Sequence, residues 1–543
     1  MLPSLFAEDT SLSETKKSNY LTGAAILAAT VAITKILGFV YTVTVFNLLG
    51  DEGVTHFDVA YNIYNLLLTI STAGIPVAIS RLISESAALG KRDQLRRYYS
   101  VSKTAFNLIG VVGAALMFVL AQWFSNWMHD SEAVYGIRVL APAVYFSCIV
   151  SVYRGYTQGF SEMAPTALSQ IMESLFKLIV GLAAVYIVYK RGGSSGMMSA
   201  AAIVGVMVGL GLAVPVMMVE KGKVDRRRRH FFTEINHKVM GKRTTLRQVM
   251  MITIPIALSS SLLNIIMVIN TKLILSRLQS TAAVAAGYTA LYGVYAKGVK
   301  ITTLPSAFIV PITTSIVPAI AEAFAVKKYQ DAKAVMESAL KVTNLIALPA
   351  AVGMSVLAYP IFQVIYPNSN SSGPMLLAML GVASYFISAY LTTGAILQAT
   401  GHEKLAMLTF PIGGVVNIAV NWVLIGNPSV NIYGAPIGMF ACYGLITLLN
   451  MIFIKAKLQT PPDYLKTFLR PAICSALMGA AAYAVYSLLY RAGLRMLFAL
   501  FAAIVVAVVV YAFLIVVLRA VTKEDMALVP KGEKIAKVLK IRG

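Results

Sequence analysis

Negative charge is scarce in this sequence: 23 Asp and Glu residues stand against 46 Lys and Arg in a chain of 543. Charged residues make up only 13% and hydrophobic ones 58%, too little charge to cover a soluble domain of this size. The three cysteines, Cys148, Cys442 and Cys474, lie far apart in apolar stretches, which excludes a metal-binding Cys pair and a disulfide framework. The five histidines are scattered, with His56 and His129 read as outer-loop residues. No GxxxxGK[ST] loop, zincin motif or Ser-His-Asp constellation occurs. Those absences argue against an ATP-driven pump in one chain and against a membrane hydrolase. No catalytic residue, metal or cofactor is expected, and an ion gradient, the membrane potential or mass action would supply the drive. The first 19 residues carry Glu8, Asp9 and Glu14, unlike the cationic start of a signal peptide, and read as a short cytoplasmic tail.

What remains is apolar sequence in long runs. At about 20 apolar residues per spanning helix the chain has room for a dozen or more crossings, and fourteen apolar segments can be counted. The spacing predicts an all-α polytopic membrane protein. One segment, 285–324, is too long for a simple crossing and is expected to be tilted, kinked or partly interfacial. Prolines at Pro76, Pro142, Pro215, Pro255, Pro305, Pro311, Pro318, Pro349 and Pro411 fall inside the segments, either as hinges or as kinks that spanning helices tolerate. Gly205 and Gly209 have the spacing of a helix-packing pair.

The net charge of +23 gathers in alternate loops. Lys91, Arg92, Arg96 and Arg97, then Lys221, Lys223 and Arg226 to Arg229, then Lys327, Lys328 and Lys333, then Lys455 and Lys457, all fall on one side of a fourteen-span arrangement. Lys190, Arg191, Arg277, Arg491 and Arg495 are the exceptions. By the positive-inside rule both termini are cytoplasmic, in the cytoplasmic membrane. Trp123, Trp127 and Trp422 fall near outer ends, as in an aromatic belt. The basic partner is then anionic membrane lipid, not nucleic acid, and the arginine run reads as an orientation determinant and lipid contact.

An internal repeat organises the chain. Tyr145-Phe146 precedes Gln158 by the spacing at which Tyr385-Phe386 precedes Gln398, 240 residues later, and Glu85 is echoed by Glu322. The expected layout is a tail at 1–19, a first six-helix lobe at 20–219, a basic linker at 220–246 and a second six-helix lobe at 247–454. Two further helices with their preceding loop follow at 455–518, and a basic tail at 519–543. The lobes read as parallel repeats, an arrangement that places a substrate site with alternating access at their junction.

Charges inside spans are costly and tend to face a cavity. Lys35, Arg154, Lys272, Lys297 and Lys300 are such charges, and Glu173 with Lys177 has the i,i+4 spacing of an ion pair, either structural or coupling. Arg81 and Lys272 read as residues that snorkel to an interface. The set is cationic, with Glu173 almost alone on the acidic side. Lys and Arg in a cavity select anions, phosphate above all, whereas an exporter of cations needs buried carboxylates. Lys35, Lys297 and Lys300, with Arg154 in support, are the candidate ligands.

Three stretches carry a family resemblance: TKILGFVYTVTVFNLLGDEG, YNIYNLLLTISTAGIPVAISRLISE and RGYTQGFSEMAPTALSQIMESLFKLIVG. Together they resemble the polysaccharide-exporter branch of the multidrug/oligosaccharidyl-lipid/polysaccharide flippase superfamily, in particular its stage V sporulation protein B-like group. That group is related to lipid II flippases of the MurJ type. The resemblance runs from about Tyr20 to Arg519. It implies two six-helix lobes in a V around a cationic cavity, with two extra helices forming a lipid groove. The implied activity is flipping undecaprenyl-pyrophosphate-linked glycan from inner to outer leaflet, lipid II first among the cargoes. Lys35 and Lys300 stand where MurJ-like sequences carry a basic residue. The second segment departs from that pattern: Leu68-Thr69 follow Asn65-Leu66-Leu67, and Ala73 precedes Gly74, where an Arg and a Glu are usual. Capsule, teichoic-type or O-antigen intermediates are alternative cargoes. A drug/cation antiporter and a scaffold that recruits cell-wall synthesis enzymes are alternatives of other classes.

Overall fold

Lipid offers a backbone N–H or C=O no partner, so apolar segments of this length fold as helices. The computed structural model describes the backbone of residues 4–228, 239–281 and 287–521, with side chains from Thr30 onward apart from Ala32, Thr314 and Ser315. No strand occurs among the described residues. Thirteen helical stretches among them are long and apolar enough to cross a membrane. The first, Ile33–Ala88, holds 56 residues, roughly 84 Å of helix against a hydrocarbon core of about 30 Å. Gly50, at φ 68° and ψ −176°, interrupts α1 (Ser4–Thr72), so this stretch is two helices joined at a kink.

Two compact units divide the chain, Met1–Val268 and Ile269–Gly543. The first holds α1, α2 (Ile75–Ala88), α3 (Arg92–Val119), short α4 (Ala121–Trp127), α5 (Ala133–Gly159), α6 (Ala164–Lys190), α7 (Ser195–Arg228) and the start of α8 (Lys242–Ser280). The boundary between the two units falls inside α8. The reason is local: Gln248 accepts from the Tyr98 hydroxyl, Asn264 donates to Thr69 Oγ1 at 2.9 Å, and Val249 joins an apolar cluster with Ile75 and Ile79. Gly74 lies against the Thr253 backbone, where no β-carbon would fit.

The second unit holds the end of α8, then α9 (Tyr288–Thr302), α10 (Leu304–Ala325), α11 (Tyr329–Val356), short α12 (Ala358–Ile365), α13 (Gly373–Ala399), α14 (Glu403–Ile425), α15 (Gly434–Lys457), α16 (Tyr464–Arg491) and α17 (Met496–Val517). The over-long segment breaks at Thr303, two residues before Pro305. A similar break after Thr72 precedes Pro76. The other prolines within spans, among them Pro142, Pro215 and Pro255, sit inside continuous helices. Helices α16 and α17 pack on α11 and α12, with Cys474 beside Leu345 and the Tyr511 hydroxyl donating to the Leu345 carbonyl at 2.8 Å. All three cysteines are free and buried.

The repeat is visible element by element. Helices α3 and α11 each have 28 residues, and α5 and α13 each have 27. Tyr145 and Tyr385 hold the same position in the latter pair. The Gln158 carbonyl accepts from Ser161 N (2.8 Å) and the Gln398 carbonyl from Gly401 N (3.2 Å), each acceptor closing the end of its helix. Glu85 and Glu322 match likewise, their carbonyls taking the Leu89 and Val326 amides. Gly90 (φ 67°) and Lys327 (φ 57°) make the same left-handed turn ahead of α3 and α11. Arg277, an exception to the charge bias, is held at Trp422, its guanidinium 4.3 Å from the ring and its Nε donating to the Trp422 carbonyl. The N-terminal tail's side chains, Arg229 of the arginine run and residues 522–543 of the basic tail lie outside what the structure describes.

Candidate functional site: the cations within the spans

In the first unit, α5 carries Arg154 and α6 carries Glu173. Glycines on α7 set the position of α6: a β-carbon on Gly205 would lie 2.5 Å from the Lys177 carbonyl oxygen, and one on Gly209 2.6 Å from that of Glu173. The close approach turns the Glu173 carboxylate toward α5. Arg154 donates through Nη2 to Glu173 Oε2 at 3.2 Å and through Nε to Ser169 Oγ at 3.0 Å. The pair is part-buried, with the side chains 17% and 31% exposed. The i,i+4 pair of Glu173 with Lys177 expected from the spacing is therefore not the one formed. An arginine one helix away presents a planar fork, while the Lys177 ammonium lies 4.8 Å from the Tyr41 ring centre and 5.2 Å from that of Tyr61. Aromatic faces hold that cation without neutralising it.

The wall behind Lys177 is built from α1. Tyr41 is buried and donates to the Ala202 carbonyl at 2.9 Å, and Phe57 stacks on Tyr61 with ring centres 5.5 Å apart. Lys35 stands exposed on the same helix. Arg154 is thus committed to Glu173, whereas Lys35 and Lys177 carry charge that no carboxylate among the described residues meets. His56, read from sequence as an outer-loop residue, is instead buried in α1: its Nδ1 lies 2.6 Å from Asp130 Oδ1 and its Nε2 3.2 Å from Ser195 Oγ. Glu132 beside it accepts from Gly196 N at 2.6 Å and ties down the start of α7.

In the second unit, Lys297 and Lys300 lie one turn apart on α9. Lys297 is only 2% exposed, with its ammonium 5.1 Å from the Tyr366 ring centre. It shares the buried face of α9 with Val294 and Ile301. Lys300 is half-buried at the last turn before the break.

Sequence reasoning passed over one feature of this unit, because it carries no charge. Asn270, Asn417 and Asn421 form a part-buried amide chain in which the buried Asn421 donates through Nδ2 to both neighbours at 2.7 Å. A three-residue count of asparagines in apolar spans would have found it. An apolar cavity of about 390 Å³ also opens between α11, α12, α16 and α17, lined by Pro349, Leu357, Met478, Ala507 and Tyr511 among others.

Helical units of this order and number define a polytopic membrane transporter fold. The solved structure of the lipid II flippase MurJ in an inward closed conformation matches with a TM-score of 0.69 at 15% identity, over 91% of this chain and 98% of that one. The chain belongs to the polysaccharide biosynthesis protein family, whose model matches residues 20–324. Among relatives in Bacillus subtilis (strain 168), stage V sporulation protein B is 27% identical over 527 residues, 95% of this chain and 98% of the relative. The lipid II flippase MurJ of the same organism is 25% identical over 427 residues, covering 75% and 78%. The resemblance read from the three sequence stretches is thereby confirmed.

Proposed function

We propose that this chain is a flippase for a lipid-linked glycan whose headgroup carries phosphate, and that its cargo is undecaprenyl-pyrophosphate-linked peptidoglycan precursor, lipid II, moved from the inner to the outer leaflet by alternating access. The observation that carries this reading is the sign of the charges within the spans. Glu173 is taken up by Arg154, and Lys35 and Lys177 are left as cations. A drug/cation antiporter would need the reverse. Similarity to the lipid II flippase MurJ supports the choice of lipid II.

In this reading Lys35 and Lys300 meet the pyrophosphate, Lys177 adds charge along the aromatic wall, and Arg154 acts by orienting Glu173. Crossing is slow without protein because a charged, hydroxylated head loses its hydration in hydrocarbon. Cations on the spans replace part of that hydration. The apolar cavity beside α16 and α17 takes a stretch of the polyprenyl tail. No cofactor is required; the drive is an ion gradient or the membrane potential, in a cytoplasmic membrane with both termini on the cytoplasmic side. Charge reversal by Lys300→Glu is expected to abolish complementation of a flippase-depleted strain while leaving membrane levels unchanged. Full activity in well-expressed Lys35→Ala and Lys300→Ala variants would remove these residues from the site. If another glycolipid accumulates in place of lipid II on depletion, the cargo is a capsule, teichoic-type or O-antigen intermediate.

A further inference from the structure

Where α3 begins and α5 and α7 end, the first unit contains a cavity of about 330 Å³. Its wall is aromatic: the Tyr99 and Tyr156 rings lie 4.9 Å apart, and Phe160 lies 5.2 Å from Tyr156. The Lys221 ammonium sits 4.6 Å from the centre of Tyr99 and 4.8 Å from that of Tyr156. Asp225, the carboxylate in the lining, is already engaged, accepting from the Tyr156 hydroxyl at 2.6 Å and from Lys221. Glu162 nearby takes Arg227 at 3.1 Å and Arg228 at 3.7 Å. Arg92, Arg96 and Arg226 also line the cavity, and none of the three has an ion pair or hydrogen-bonded side-chain partner among the described residues.

Three guanidinium groups around one cavity, none with an ion pair among the described residues, repel each other and favour a bound anion. Their planar forks match the oxygens of a phosphate, and the aromatic wall gives an adjoining carbon skeleton a surface to pack on. An orientation signal needs charge on one side of the membrane but no walled cavity with a buried Tyr156 ring and a half-buried Tyr99 beside it. We infer that this cavity binds a phosphate ester, gripped by Arg92, Arg96 and Arg226 and seated on Tyr99 and Tyr156. The ester is either the headgroup of an anionic phospholipid or a soluble phosphate ester. The site is separate from the cations within the spans and does not depend on their role.

The test uses the purified full chain in detergent, with thermal stability followed at constant ionic strength. The added probes are dioctanoyl phosphatidylglycerol, dioctanoyl phosphatidylcholine or glycerol 3-phosphate. Saturable stabilisation by phosphatidylglycerol but not phosphatidylcholine is expected. An added response to glycerol 3-phosphate assigns the site to soluble esters, and its absence assigns it to the lipid headgroup. The triple variant Arg92→Gln, Arg96→Gln, Arg226→Gln should weaken the response at least tenfold. Lys327→Gln, Lys328→Gln, Lys333→Gln, which removes the same charge from the second unit, should leave it unchanged. Arg96→Gln alone, at an exposed position, should weaken it severalfold and serves if the triple variant does not fold. No response to either anion, or equal weakening by both triple variants, overturns the assignment.

Discussion

Arg154 and Glu173 act as one unit, and removing either partner has a different consequence from removing both. Arg154→Ala leaves a part-buried carboxylate without its partner, and a loss of about 1–3 kcal/mol is expected from a charge-assisted hydrogen bond of this kind. Arg154→Met with Glu173→Leu should recover most of that loss, as read by thermal unfolding in detergent. Recovery in stability without recovery of transport would separate the structural from the functional share of the pair. Lys35→Ala, by contrast, should leave stability unchanged and lower transport by about ten- to hundredfold, the equivalent of one charge-assisted contact of roughly 1.5–3 kcal/mol. These residues were legible in the sequence because a charge within an apolar run is conspicuous. Their partners were not. The spacing of Glu173 and Lys177 offers a pair on one helix, and only the packing of α6 on α5 and α1 shows that an arginine and two tyrosine rings take their place. Depth in a span likewise says that Lys297 is unusual, not what it packs against, which here includes the Tyr366 ring.

Helix ends and helix contacts make their own predictions. Gly205 and Gly209 seat α7 against the α6 backbone, so Gly209→Leu should push α6 away and cost about 1–3 kcal/mol by overpacking. Because the same backbone carries Glu173 and Lys177, transport should fall together with stability in that variant. Gly90 and Lys327 make equivalent left-handed turns, but only one is a glycine. Lys327→Gly should raise stability by about 1 kcal/mol by relieving the left-handed backbone, measured as an upward shift in melting temperature, while Gly90→Lys should lower it. At this scale the sequence was informative where punctuation is strong. Pro76 and Pro305 marked both broken crossings, and the repeated Tyr-Phe pairs marked equivalent helices. The contacts of Gln248, Thr253 and Asn264 were not legible, because polar residues in a span show their partners only when the helix is packed.

For the whole molecule, a composition with 58% hydrophobic residues and 13% charged ones points to the membrane, and the long apolar runs point to the helical class. Membership of the polysaccharide biosynthesis family and the fold shared with MurJ then narrow the class of transporter. The cargo is decided by chemistry that the apolar framework does not record. The most direct measurement is the exposure of lipid II on the outer face of cells depleted of this protein, with redundant flippases removed and an impermeant, lipid II-cleaving probe added outside. The account predicts that cleavable lipid II falls while the total pool rises, and that Lys35→Ala and Lys300→Glu reproduce the depleted state. Unchanged cleavage on depletion would contradict lipid II as the cargo.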